Sequence, residues 1–263
     1  MFARLAGRHE AAFVPFLMLG DPGPDRFLDL VRTLVDAGAD ALELGIPFSD
    51  PVADGPVIQA AATRALERGM TPAACWPLIH ACRTEWPELP IGLLVYANLV
   101  MHDDPARFFE AARAAGVDSV LIADLPVAEA AQVAAVAEAH GIASVLIAPP
   151  NASEETLGRI AALARGYTYV VSREGVTGAD AALRHDSSAL LGRLRALGAP
   201  PALLGFGISG PDAVRRAVAM GAAGAIVGSA IVERIAKGEA DFPALLTGLS
   251  SFAKDLKAAT RRS

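Results

Sequence analysis

A chain of 263 residues, 53% of them hydrophobic and 20% charged, is long enough to bury one large core. Its 23 basic and 29 acidic residues leave a net charge of −6, and no basic patch appears, which argues against nucleic acid and anionic membranes as partners. The start, Met1-Phe2-Ala3-Arg4, has no long apolar run of signal-peptide type, and the longest uncharged apolar stretch, Ala217–Val232, is short for a membrane span, so a cytoplasmic protein is expected.

The first apolar run of strand length is Ala12–Leu19. Helical spacing follows over Pro24–Ala37, where Phe27, Leu30, Val31, Leu34 and Val35 form one stripe. The second run, Ala41–Ile46, carries a carboxylate, Glu43, in its middle. Strand interiors disfavour ionisable groups unless these are paired or used, although the alternation Leu42, Leu44, Ile46 also suits a solvated strand face. A loop with three prolines and two carboxylates, Asp50 and Asp54, leads to a helix at Val57–Arg68. Cys75 and Cys82 lie seven apart on one face of a helix-like segment, about 10 Å from each other, which suits small buried hydrophobes and not a disulfide.

Strands are then expected at Ile91–Ala97, Ser119–Leu125, Ser144–Pro149, Tyr167–Ser172, Ala202–Gly207 and Gly224–Ser229. Between and after them come helices at Ala106–Ala115, Val127–His140, Glu154–Ala164, Ala189–Leu197, Pro211–Met220 and Pro243–Ala258. Asp103 or Asp104, Ser153 and Ser209 stand where helix caps belong. Gly38, Gly116, Gly141 and Gly221 each follow a helix and precede a strand, where glycine relieves the left-handed turn. Eight near-continuous apolar strands alternating with helices predict a (β/α)8 TIM barrel over residues 1–263 as a single domain, with a short N-terminal cap segment and enlarged loops after strands two and six. A doubly wound open sheet is the alternative, but no glycine-rich fingerprint follows the first strand.

In such a barrel the strand C-terminal ends carry the chemistry. The polar residues there are Asp21, Glu43, Asp54, Tyr96, Asn98, Asp124, Arg173, Thr177, Gly178, Gly207, Ser209, Gly228 and Ser229. Phe16, Leu94, Ile147, Tyr169 and Phe206 offer apolar walls suited to a flat aromatic ligand. Gly205–Gly210 and Gly228-Ser229 end strands seven and eight, where backbone N–H groups and a helix N-terminus hold phosphate. Glu43 and Asp54 form a candidate acid/base pair, because burial in an apolar mouth raises a glutamate's pKa toward that of a proton shuttle. Asp54 in Ala-Asp-Gly-Pro also reads as a turn residue, and Asp124 before Leu125-Pro126 as a cap or loop staple. The five histidines show no metal spacing, and no serine elbow or P-loop is present, so no metal is expected.

The ordered motifs resemble one family, the tryptophan synthase alpha chain. They are Phe13-Val14-Pro15-Phe16, Leu19-Gly20-Asp21-Pro22, the run Glu43–Pro56, Tyr96-Ala97-Asn98, Ala123-Asp124-Leu125-Pro126, Pro149-Pro150-Asn151, Ser172-Arg173, Gly175–Gly178, Gly205–Ser209 and Gly228-Ser229-Ala230. The resemblance implies a lyase that splits indole-3-glycerol phosphate into indole and glyceraldehyde 3-phosphate. It implies that Glu43 moves protons between indole C3 and the glycerol hydroxyl, and that Asp54 accepts the indole N–H. Phe16, Leu94, Tyr96, Ala123, Ile147, Tyr169, Thr177 and Phe206 would line the substrate, and Gly178, Gly207, Gly228 and Ser229 would hold its phosphate. No cofactor is implied for this chain. A pyridoxal-phosphate-dependent beta chain would be its partner in an alpha2beta2 tetramer, contacted through Asp50, Pro51 and Arg173. A stand-alone lyase releasing free indole is the competing reading. The segment ahead of Phe13 is a few residues short of the family pattern, and Glu174 beside Arg173 departs from it.

Overall fold

The computed structural model describes residues 1–171, 181–205 and 207–262. Eight parallel strands close into a barrel in chain order. They are β1 (Ala12–Met18), β2 (Leu42–Gly45), β3 (Ile91–Val95), β4 (Ser119–Ile122), β5 (Ala143–Ala148), β6 (Thr168–Val171), β7 (Ala202–Gly205) and β8 (Gly224–Val227). Closure is made where β1 meets β8, with Ala12 opposite Gly224 and Pro15 opposite Val227. Both faces of these strands are covered, which is why their sequences run apolar without alternation.

The helices ahead of β4 are α1 (Phe2–Gly7), α2 (Pro24–Asp36), α3 (Pro56–Glu67), α4 (Pro72–Glu85), α5 (Ala97–Met101) and α6 (Pro105–Ala115). Those after it are α7 (Ala130–Ala139), α8 (Glu154–Leu163), α9 (Ala181–Ala196), α10 (Pro211–Ala219), α11 (Ser229–Gly238) and α12 (Phe242–Ala258). The stripe read on α2 is its buried face: Phe27, Leu30, Val31 and Leu34 are fully covered. Each such side chain contributes about 1.5–3 kcal/mol by leaving water. The four junction glycines, Gly38, Gly116, Gly141 and Gly221, have φ of 102, 93, 68 and 94°, the left-handed turn that ends each helix.

The expected N-terminal cap segment is the helix α1, anchored by buried Leu5. Other expectations are refined or corrected. Loop two, residues 46–55, is enlarged as expected, the longest of the described links from a strand to its helix, and the rest of the extra length before β3 is the additional helix α4. Ala97 belongs to α5 and Ser229 to α11; neither extends a strand. Asp104 and Ser153 cap as expected, whereas Ser209 does not, since Gly210 is the cap of α10. The expected enlargement of loop six falls on 172–180, outside the described residues.

Cys75 and Cys82 are buried, free thiols on α4, and desolvation pushes both up to about 12. Among the described residues, no helix is long and apolar enough to cross a membrane.

Candidate active site

A cavity of about 310 Å³ opens at the C-terminal ends of the strands. That is room for a small bicyclic ligand with a short tail. Phe16, Leu94, Ile58, Tyr169 and Ile226 supply its apolar walls, and Glu43 and Asp54 its carboxylates. Gly207, Ser209, Gly228 and Ser229 line the other end.

Glu43 arrives from the middle of β2, in register with Phe16 on β1 and Gly92 on β3. Only 1% of it is exposed, so it faces the barrel interior and not a solvated strand surface. Tyr167 Oη donates to Glu43 Oε1 at 2.8 Å. Burial raises the Glu43 carboxyl from 4.5 to about 7, against the opposing pull of the tyrosine bond, and the neighbouring Asp54 charge adds to the rise.

Asp54 sits on loop two just ahead of α3, and its backbone is tied at both ends. Its N–H donates to Pro51 O (3.0 Å), and Gln59 Nε2 donates to its carbonyl (2.8 Å). Burial raises its carboxyl above the ordinary value of 3.8, while a hydrogen bond from the Tyr96 hydroxyl opposes that rise. The same tyrosine oxygen accepts the Ala53 N–H at 3.1 Å, and its ring stacks on Phe48 at 5.3 Å. Tyr96 therefore holds loop two and reaches the site through Asp54, and it is not among the residues that line the cavity. Ala123 and Ile147 also stand outside the lining, half-buried at the ends of β4 and β5.

Two other strand-exit residues prove structural. Asp21, 2% exposed, receives a two-pronged hydrogen bond from Arg64 Nε and Nη2 on α3 (2.8 and 2.7 Å). Asp124 Oδ1 accepts the Ala97 N–H at 2.7 Å and so caps α5 from the next loop. Asn98 is exposed on α5 and takes no part in the lining. Arg173, Glu174, Thr177, Gly178 and Phe206 lie outside the described residues. Asp50 is exposed and Pro51 half-buried on loop two; between them and Asp54 stands Val52, 79% exposed.

Besides the apolar Ile58 and Ile226, three polar side chains of the site were not read from the sequence. Tyr167 stands two residues before Tyr169, and two-residue periodicity puts both on one face of the strand. Glu233 and Arg234 line the cavity from α11, a helix the apolar run of strand eight had concealed. At this end Gly207 turns with φ of 73°, and α11 starts at Ser229 behind Gly228. The first N–H groups of such a helix have no intrahelical partner and favour an anion. Among the described residues, no group of three or more His, Cys, Asp or Glu is placed to hold a metal ion.

A family model described as tryptophan synthase alpha chain matches residues 2–261. A tryptophan synthase alpha chain from Shewanella amazonensis is 56% identical over 259 residues, 98% of this chain and 97% of the relative. The crystal structure of tryptophan synthase subunit alpha from Legionella pneumophila superposes with a TM-score of 0.89 at 31% identity, covering 98% of this chain and 96% of that one. A chain from the tryptophan synthase α2β2 complex of Pyrococcus furiosus gives a TM-score of 0.85 at 34% identity, with 94% and 98% covered.

Proposed function

The chain belongs to the tryptophan synthase alpha chain family, a lyase subunit of tryptophan biosynthesis, and from that premise we propose that its cavity cleaves indole-3-glycerol phosphate with Glu43 and Asp54 as the working carboxylates. The observation that carries this reading is a buried carboxyl raised to about 7 beside a second carboxylate, in one apolar cavity. A group titrating near neutrality both gives and takes a proton at low cost.

In the proposed sequence, neutral Glu43 gives its proton to indole C3, and positive charge gathers on the ring nitrogen. Asp54 accepts the indole N–H and stabilises that charge. Glu43, now a carboxylate, takes the proton from the hydroxyl on the carbon attached to C3. The bond between that carbon and C3 breaks, its electron pair returns to the ring, and the carbon becomes the aldehyde of glyceraldehyde 3-phosphate. Phe16, Leu94 and Tyr169 flank the ring, and Gly207, Gly228 and Ser229 hold the phosphate through backbone amides and the α11 dipole. These steps ask for no metal or organic cofactor from this chain.

The related α2β2 complex supports a beta-chain partner; pyridoxal phosphate on that partner is what the family resemblance implies. Val52 supports loop two as the contact, because so exposed an apolar residue beside Asp50 and Pro51 gains from being covered. The reading takes residues 1–263 as one barrel domain working in the cytoplasm.

The test is indole release from indole-3-glycerol phosphate by the pure chain, with and without a beta chain. Glu43→Gln is expected to lower the rate by about 10²–10⁴. Cleavage by that variant at the wild-type rate would sink the mechanism. A rate that no beta chain alters would favour the stand-alone lyase.

A further inference from the structure

The cavity lining has an unusual balance of charge. Among the described residues it carries three carboxylates, Glu43, Asp54 and Glu233, against a single cation, Arg234. A doubly charged phosphate entering there meets amides and a helix terminus worth about half a charge. Glu233 is partly answered by Lys237 Nζ at 2.7 Å, which leaves Arg234 to face the cavity.

The Arg234 side chain runs backwards along α11. Its Nη1 donates to the Ala230 carbonyl at 2.8 Å, and its Cζ lies 3.5 Å from the centre of the Phe252 ring on α12. The aromatic face holds the planar guanidinium flat, and Ala230 takes one of its five N–H donors, so the others remain to serve a ligand. The guanidinium is also drawn toward the positive end of its own helix, which for the helix alone is the wrong sign. An anion at Gly228 and Ser229 reverses that sign, since helix terminus and arginine would then attract the same group.

We propose that Arg234 is a specificity residue that binds the substrate phosphate from the α11 side, a role that rests on the phosphate end assigned above. The tests use the folded chain and competitive inhibition of indole release, with inorganic phosphate as the probe and indole as the internal control. Arg234 is exposed, so Arg234→Met, which keeps an apolar stem and removes the guanidinium from over Phe252, is expected to fold, which a thermal midpoint checks. Its phosphate inhibition constant should rise about tenfold, as expected for a lost charge-assisted hydrogen bond, while that of indole stays put. Arg234→Lys should recover at least half of the loss.

An unchanged phosphate constant in Arg234→Met overturns the inference. So does a lysine variant no better than methionine, or equal loss for phosphate and indole, which marks a purely structural role. Wild-type chain insensitive to phosphate would instead remove the assigned phosphate end, and this inference with it.

Discussion

Burial of Glu43 ties its chemistry to the pH dependence of folding. The carboxyl titrates near 4.5 in an unfolded chain and near 7 in the folded one. Between those values the folded chain holds a proton that the unfolded chain has released. Stability therefore falls as pH rises through that window and stays low above it. Glu43→Gln cannot ionise, so at about pH 8 it should be more stable than wild type by about 3 kcal/mol, with little difference at about pH 4. Urea midpoints at the two pH values check this; equal midpoints at the higher pH would show that burial does not penalise the charge. Tyr167→Phe makes a companion prediction. The lost hydrogen bond favoured the carboxylate, so the upper edge of the window should move above 7 in that variant. An edge that moves down would mean the tyrosine serves the neutral acid.

Among the elements, β7 and β6 meet too closely for any side chain at Gly205. A Cβ there would lie 2.0 Å from the Tyr169 hydroxyl oxygen and 2.2 Å from Cζ. Tyr169 fills a wall of the cavity, so Gly205→Ala must push that ring into the substrate space. We expect a loss of about 1–3 kcal/mol in stability from overpacking, together with weaker indole binding in a chain that still folds. Unaltered indole affinity would show that the ring escapes elsewhere. The strands that carry Phe16, Glu43 and Tyr169 were legible in the sequence, because buried parallel strands announce themselves as apolar runs, whereas their register came only with the structure. The helices α5 and α11 were not legible, and α4 showed only as a helix-like segment around Cys75 and Cys82 without bounds. Pro77 interrupts the interior of α4, α5 has five residues, and α11 continues the apolar run of β8 without a break in composition. Missing α11 hid Glu233 and Arg234. Tyr96 was expected beside the substrate from the family resemblance alone, and what its hydroxyl bonds are Ala53 and Asp54 of loop two.

Over the whole molecule, the barrel seam depends on a charge cluster far from the site. Asp40, 7% exposed, accepts the Phe13 N–H at 2.9 Å through Oδ2, and Lys257 Nζ on α12 reaches the same oxygen at 2.9 Å. Glu10 Oε2 lies 2.9 Å from that ammonium as well, so one lysine ties the chain start, the approach to β2 and the last helix. Lys257→Met leaves a buried carboxylate without its cation, which should cost about 2 kcal/mol. The cysteines of α4 offer a remote readout, because buried thiols raised to about 12 react only after they are uncovered. If the barrel opens as one cooperative unit, losing about 2 kcal/mol should speed thiol labelling about 30-fold, although the ionic partners of Lys257, Glu10 and Asp40, lie outside α4. If α4 opens by itself, the thermal midpoint should fall while the labelling rate stays unchanged. A closed ring of strands favours the first outcome, since no strand can leave the barrel without breaking hydrogen bonds to neighbours on both sides.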